Sequence, residues 1–133
     1  MRIGIDARLV QSRQAGISQY IVQLLRALAR RTASDSGDAQ DQFVVLQGHK
    51  SKEPIVTGPN FTTRRLLTPS HHRLEQLFLP LEASTRKLDV LHSPDFIPPF
   101  HSKCRSVITV HDLAFVLYPH FLTKGSARYY GQI

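Results

Sequence analysis

The strongest hydrophobic pattern in the chain begins at Gly16. From there, apolar residues recur every three or four positions, which predicts an amphipathic α-helix with one buried face. That face consists of Ile17, Tyr20, Ile21, Leu24, Leu25 and Leu28. Residues 32–42 are rich in Ser, Asp, Gly and Gln, so we expect the helix to give way there to an exposed loop.

Five short stretches have the apolar character of β-strands. They are residues 2–6, 43–46, 61–67, 88–91 and 106–110. The second stretch is apolar without interruption, which is typical of a strand buried on both faces of a sheet.

A second helix is predicted over residues 69–87. Its apolar face would consist of Leu74, Leu77, Phe78 and Leu81. Pro80 lies inside this segment and lacks a backbone N–H, so we expect a kink or a break there. The last residues, 122–133, have the pattern of the start of another helix.

Apolar strands that alternate with helical patterns predict an α/β fold. We expect a Rossmann-like, doubly wound and mostly parallel sheet with right-handed crossovers. A chain of 133 residues supports one domain. Because the sequence stops without a helix-stop signal, we expect it to be a fragment of a longer protein.

The chain is basic: 17 Lys and Arg against 10 Asp and Glu give a net charge of +7. The basic residues are scattered, so a solvated surface explains them. Nucleic acid, an anionic membrane face and a phosphorylated small molecule remain alternative partners. The lone Cys104 excludes a disulfide framework and a cysteine zinc site. No spanning apolar run or signal peptide is present, so we expect a cytoplasmic protein.

Polar residues with useful chemistry follow three of the predicted strands. Asp6 and Arg8 follow the first strand, His92 the fourth, and His111 with Asp112 the fifth. Open parallel sheets bind ligands at the carboxyl ends of their strands, so we expect these residues to meet on one edge. Each also has a plainer interpretation: a hydrogen bond to the backbone, a capped strand end or a solvated charge.

Gly16 marks the start of a helix, where unpaired N–H groups and the helix dipole suit a phosphate. A permissive helix start is the alternative, since neither the dinucleotide fingerprint nor the P-loop signature is present. A metal site is not expected. His71 and His72 are adjacent and would point in different directions on a helix.

Taken together, these features resemble the N-terminal half of a family-4 glycosyltransferase of the GT-B fold. The matching segments are residues 1–8, 16–20, 24–28, 89–94, 110–113, 118–119 and 128–130. They span nearly the whole chain in order. The likeness is to bacterial mannosyl- or glucosyltransferases of polysaccharide assembly.

The resemblance implies a retaining, metal-free transfer of a hexose from a nucleotide-sugar to a saccharide or lipid-linked acceptor. The nucleotide-sugar would be a co-substrate, so no cofactor is expected. Residues 1–133 would form the acceptor-side domain, inactive without a C-terminal nucleotide-sugar domain. A peripheral membrane contact is compatible with a lipid-linked acceptor, whereas nucleic acid fits poorly. A small basic binding module for a membrane or nucleic acid is the alternative.

The resemblance also assigns roles to individual residues. Gly16 and Ile17 would approach the donor phosphates, and His111 would contact the donor sugar. Asp6, Arg8, His92 and Asp112 would lie at the cleft edge. The family often has a second glycine and a basic residue after the first glycine, where this chain has Ser18 and Gln19.

Overall fold

The computed structural model describes residues 1–11, 16–34, 41–70, 74–95, 99 and 101–121. These residues fold into five parallel strands and two main helices. The strands are β1 (Arg2–Asp6), β2 (Gln42–Gly48), β3 (Phe61–Leu66), β4 (Val90–Ser93) and β5 (Arg105–Ile108). The helices are α1 (Gly16–Ser34), α2 (Glu75–Ser84) and the single turn α3 (Ala114–Leu117). Two 3₁₀ turns, Arg8–Gln11 and Pro119–Phe121, complete the described elements.

The strand order is β3-β2-β1-β4-β5, and every pair is parallel. The fold is therefore α/β and Rossmann-like, as the sequence predicts. From β1 the chain builds outward through β2 and β3, and then returns to place β4 on the other side of β1. The order reverses between β1 and β4, which is where open α/β sheets bind their ligands.

Helix α1 covers one face of the sheet with the stripe that its sequence predicts. Ile21 and Leu25 are fully buried, and they pack in one cluster with Ile5, Phe43 and Val45 of the sheet. Burial of such side chains is the main favourable term that holds the helix on the sheet. Tyr20 lies on the same stripe and remains partly exposed.

Helix α2 covers the opposite face. Leu79 and Ala83 pack there with four residues of the strands β2, β3 and β4: Val44, Leu46, Leu66 and Leu91. Strand β2 thus faces α1 on one side and α2 on the other, which confirms its predicted burial on both faces. Gly4 of β1 allows a close approach on the α2 face, because a Cβ there would lie 2.5 Å from Leu88 Cδ1.

A buried ionic network joins β1 to α2. The Arg8 guanidinium donates to Asp6 Oδ2 at 2.6 Å and to the carboxylate of Glu75, the first residue of α2. It also donates to the carbonyl oxygen of Thr68 at 2.9 Å. Arg8 is only 4% exposed, so these partners compensate the loss of water around its charge.

The predicted inner face of α2 is wrong. Leu74, Leu77, Phe78 and Leu81 are exposed. The Arg8 bond turns Glu75 toward the protein, and residues four and eight positions later, Leu79 and Ala83, lie on the same side of the helix. Apolar residues occupy both faces of this segment, so their spacing alone did not identify the inner one.

The remaining boundaries differ from the predictions by a few residues. Strand β4 begins two residues late, and α2 continues through Pro80 without a break. The predicted helix at 122–133 lies outside the described residues. Within the part of the chain that is described, no helix combines the length and the apolar character needed to cross a bilayer.

We expect Arg8→Leu to lower the free energy of unfolding by about 3 kcal/mol, because it leaves the Asp6 and Glu75 carboxylates without their cation. Urea unfolding followed by circular dichroism measures the change. Arg64→Leu, at an exposed arginine, is the control and should change the stability by less than about 0.5 kcal/mol. Equal effects of the two substitutions would contradict the structural role of Arg8.

Candidate functional site

The candidate site lies at the carboxyl edge of the sheet, where the strand order reverses. Asp6 ends β1 and Ser93 ends β4, and these two strands are hydrogen-bonded neighbours with Ile5 opposite His92. The predicted convergence of the ends of the first and fourth strands is therefore a direct result of parallel pairing. Strand β5 follows on the outer side of β4, with Val107 opposite His92.

Four side chains meet at this edge, and we call them the histidine cluster: Tyr20, His92, Thr109 and His111. His92 Nε2 lies 2.9 Å from Thr109 Oγ1, and the same hydroxyl lies 3.4 Å from the Tyr20 hydroxyl. The Tyr20 and His111 rings meet edge to face, with centroids 5.0 Å apart. The cluster links the ends of β4 and β5 to the first turns of α1.

His111 is held by the end of β4. Its Nε2 lies 3.0 Å from the carbonyl oxygen of Pro94, which can only accept, so Nε2 carries the proton. In the neutral ring, Nδ1 is then an acceptor that suits the hydroxyl group of a sugar or an alcohol. His111 is exposed at this edge.

His92 is half-buried, and this burial lowers its pKa below the ordinary value. The imidazole is therefore neutral at pH 7. A neutral ring can donate to or accept from the Thr109 hydroxyl, so this pair can reorganise as a ligand hydroxyl approaches.

Asp6 and Arg8 are engaged mainly with each other. Asp6 Oδ1 accepts the backbone N–H of Arg8 at 3.1 Å and its Nε–H at 2.9 Å. Burial by itself would lower the pKa of Arg8, but the charges of Asp6 and Glu75 raise it above the ordinary value, so Arg8 stays a cation. Their predicted contact with a ligand at the cleft edge stays a prediction.

Asp112 lies at the start of α3. Its Oδ1 accepts the backbone N–H of Ala114 at 2.9 Å, which is the bond of an Asx turn just before that helix. His111 takes its orientation from Pro94 and Tyr20 instead. Asp112 is exposed beside them, and its predicted contact with a substrate stays untested.

Gly16 begins α1, as predicted. A Cβ at this position would meet no atom within 4 Å, so packing within the described residues does not require glycine there. Ile17 is half-buried against the core, which leaves its backbone N–H as the group that can face an anion. Tyr20, one helical turn after Gly16, places the start of α1 beside the histidine cluster.

Sequence reasoning missed two members of the cluster. Tyr20 was assigned to the buried stripe of α1, and Thr109 was assigned only to a strand. Thr109 lies two residues after Val107, the partner of His92, and strand alternation would have put it on the same face. Ser93 was also missed as a separate feature, and its buried hydroxyl has no hydrogen-bond partner in the described part of the protein.

Two other features do not add to this site. Among the residues that the structure describes, no three His, Cys, Asp or Glu side chains lie close enough to hold a metal ion. A surface pocket lies at the other edge of the sheet, beside β3. It is lined by Glu53, Pro54, Thr63, Arg64 and Arg65.

Comparison of the chain with known protein families, with curated proteins and with solved structures finds no match. The strand order and the side chains at the carboxyl edge of the sheet are therefore the basis for assigning a function.

The lowered pKa of His92 makes a prediction about pH. Because the pKa of His92 is lower in the folded state, the unfolded state takes up a proton at this residue at a higher pH than the folded state does. The stability that neutral His92 contributes is therefore present above the ordinary histidine pKa and is lost as the pH falls below it. We therefore expect the wild-type Tm to fall more than that of His92→Gln between about pH 7.5 and about pH 5. Thermal unfolding in matched buffers measures the difference, with His49→Gln, in an exposed turn, as the control. Parallel pH profiles for wild type and His92→Gln would contradict it.

Proposed function

We propose that this chain is the acceptor-side domain of a retaining glycosyltransferase of the GT-B type. It would serve the transfer of a hexose from a nucleotide-sugar to a saccharide or lipid-linked acceptor. The observation that carries the proposal is the meeting of the α1 start, His92 and His111 at one edge of the sheet. The resemblance of the sequence to such enzymes gives that edge its chemistry.

The start of α1 suits the diphosphate of the donor. The helix is 19 residues long, and the N–H groups of its first turn carry the positive end of its dipole. No atom of the described residues lies within 4 Å of a Cβ placed at Gly16, and a glycine there suits the close approach of an anion to the backbone. This end of the helix would stabilise the negative charge that grows on the leaving nucleoside diphosphate.

The histidine cluster suits the sugar. His111 Nδ1 would accept a hydrogen bond from a donor-sugar hydroxyl, while Pro94 and Tyr20 hold the ring in place. In the reaction that the resemblance implies, the bond from the anomeric carbon to the phosphate oxygen breaks as the acceptor oxygen bonds to that carbon. The leaving phosphate takes the acceptor proton. The contribution of this domain is positioning and charge stabilisation.

Substitution of Gly16 tests whether this residue serves to bind a phosphate or serves only the packing of the helix start. We expect Gly16→Asp to leave the Tm unchanged or slightly raised, because an acid at a helix start is favourable and the site is open. Its carboxylate would repel a phosphate, so binding of inorganic pyrophosphate should weaken about tenfold or more.

Amide chemical shifts during a titration with pyrophosphate measure this effect. Thr57→Asp is the control, because it makes the same charge change at an exposed residue of the loop between β2 and β3. If pyrophosphate leaves the amides of Gly16 and Ile17 unshifted in the wild-type chain, the phosphate role of this helix is wrong.

We expect the 133-residue chain alone to show no sugar transfer, because the groups that bind the nucleotide of the donor would belong to a second domain. The assay incubates the chain with UDP-glucose or GDP-mannose and with a polyprenyl phosphate or oligosaccharide acceptor. Mass spectrometry then detects any glycosylated acceptor. Steady transfer by this chain alone would contradict the proposed division between two domains.

A further inference from the structure

The outer face of α2 carries a continuous group of exposed apolar side chains. We call it the α2 patch: Leu67, Leu74, Leu77, Phe78 and Leu81. Leu67 is 73% exposed, Leu77 and Leu81 are each 64% exposed, and Phe78 is 49% exposed. Scattered single apolar residues are common on protein surfaces, but a contiguous apolar helix face usually marks an interaction surface.

The acidic residues of α2 point away from the patch. Glu75 is buried against Arg8. The Glu82 carboxylate accepts the backbone N–H groups of Leu67 at 3.1 Å and of Thr68 at 3.4 Å. These two bonds hold Leu67 beside the helix and extend the patch beyond it. Both carboxylates of the helix are therefore engaged on its inner side or flank.

Basic residues lie at the two ends of the patch. Arg64 is exposed near the end of β3, and it lies on the same face of the strand as Leu66, which packs against α2. Lys87 is exposed three residues after the end of α2. The chain has a net charge of +7. An exposed apolar face with cationic ends is complementary to an anionic lipid bilayer, which has an apolar interior and a negatively charged surface.

We propose that the α2 patch docks on an anionic lipid bilayer, with its apolar side chains in the headgroup–acyl boundary and with Arg64 and Lys87 at the lipid phosphates. A second copy of the chain fits less well, because two such faces would bring like charges together. Helix α2 lies on the sheet face opposite α1. Docking there leaves α1 uncovered, and the inference stands independently of the proposed sugar transfer.

The chain contains no tryptophan, so Phe78→Trp introduces a single fluorescent reporter into the patch. We expect its emission to shift to the blue when vesicles of phosphatidylcholine mixed with phosphatidylglycerol are added, and to shift far less with phosphatidylcholine alone. Phe121→Trp is the matched control, because Phe121 is exposed and belongs to the 3₁₀ turn that follows α3 rather than to the patch. No shift at position 78, or an equal shift at both positions, would overturn the proposal.

A second pair of variants tests the patch without a reporter. Leu77→Gln with Leu81→Gln should weaken cosedimentation with the mixed vesicles about tenfold, because two apolar side chains no longer enter the interface. Leu113→Gln with Leu117→Gln alters two similarly exposed leucines outside the patch and should change binding less than about twofold. Circular dichroism checks that both variants remain folded.

The salt dependence of binding and the oligomeric state distinguish a lipid surface from a second copy of the chain. Binding to mixed vesicles that weakens as salt is added supports a contact with anionic lipid. Equal loss of binding in both pairs would overturn the proposal. Analytical ultracentrifugation that shows self-association, abolished by Leu77→Gln with Leu81→Gln and with no vesicle binding by the wild type, would assign the patch to a second copy instead.

Discussion

The buried guanidinium of Arg8 is the interaction on which much of the molecule depends. It ties Asp6 at the end of β1 to Glu75 at the start of α2, and it also reaches the chain after β3. A buried cation of this kind requires its carboxylates, so the network fixes which face of α2 turns inward. The same constraint leaves the apolar outer face of that helix in solvent.

The carboxyl edge of the sheet follows from a second constraint, the parallel pairing of β1, β4 and β5. Parallel strands end on the same side, so His92 and His111 come close although 19 positions separate them. Tyr20 joins the group from α1: its ring contacts His111, and its hydroxyl lies 3.4 Å from that of Thr109. These two imidazoles and two hydroxyl groups beside α1 are the groups to which the proposed function assigns the sugar.

Local patterns were enough to predict most of the fold. The apolar stripe of α1 can be buried only with that face of the helix against the sheet, and the uninterrupted strand β2 only with both of its faces covered. The structure confirms both predictions. Helix α2 shows where such reasoning fails: apolar residues surround it, so two faces compete. The candidate site was predictable only as strand ends, since the contact between Tyr20 and His111 joins residues that no short-range pattern connects.

The sequence by itself determined the elements, their α/β order and the positions at which chemistry follows a strand. Hydrophobic periodicity and turn residues act within a few positions, which is the range that a single sequence reveals. Only the tertiary structure decided that Arg8 is a buried tie rather than a surface charge, and that Leu77 and Phe78 face solvent. Those outcomes depend on partners 67 residues apart, where the free energy of pairing buried charges outweighs the preference of any one leucine for the core.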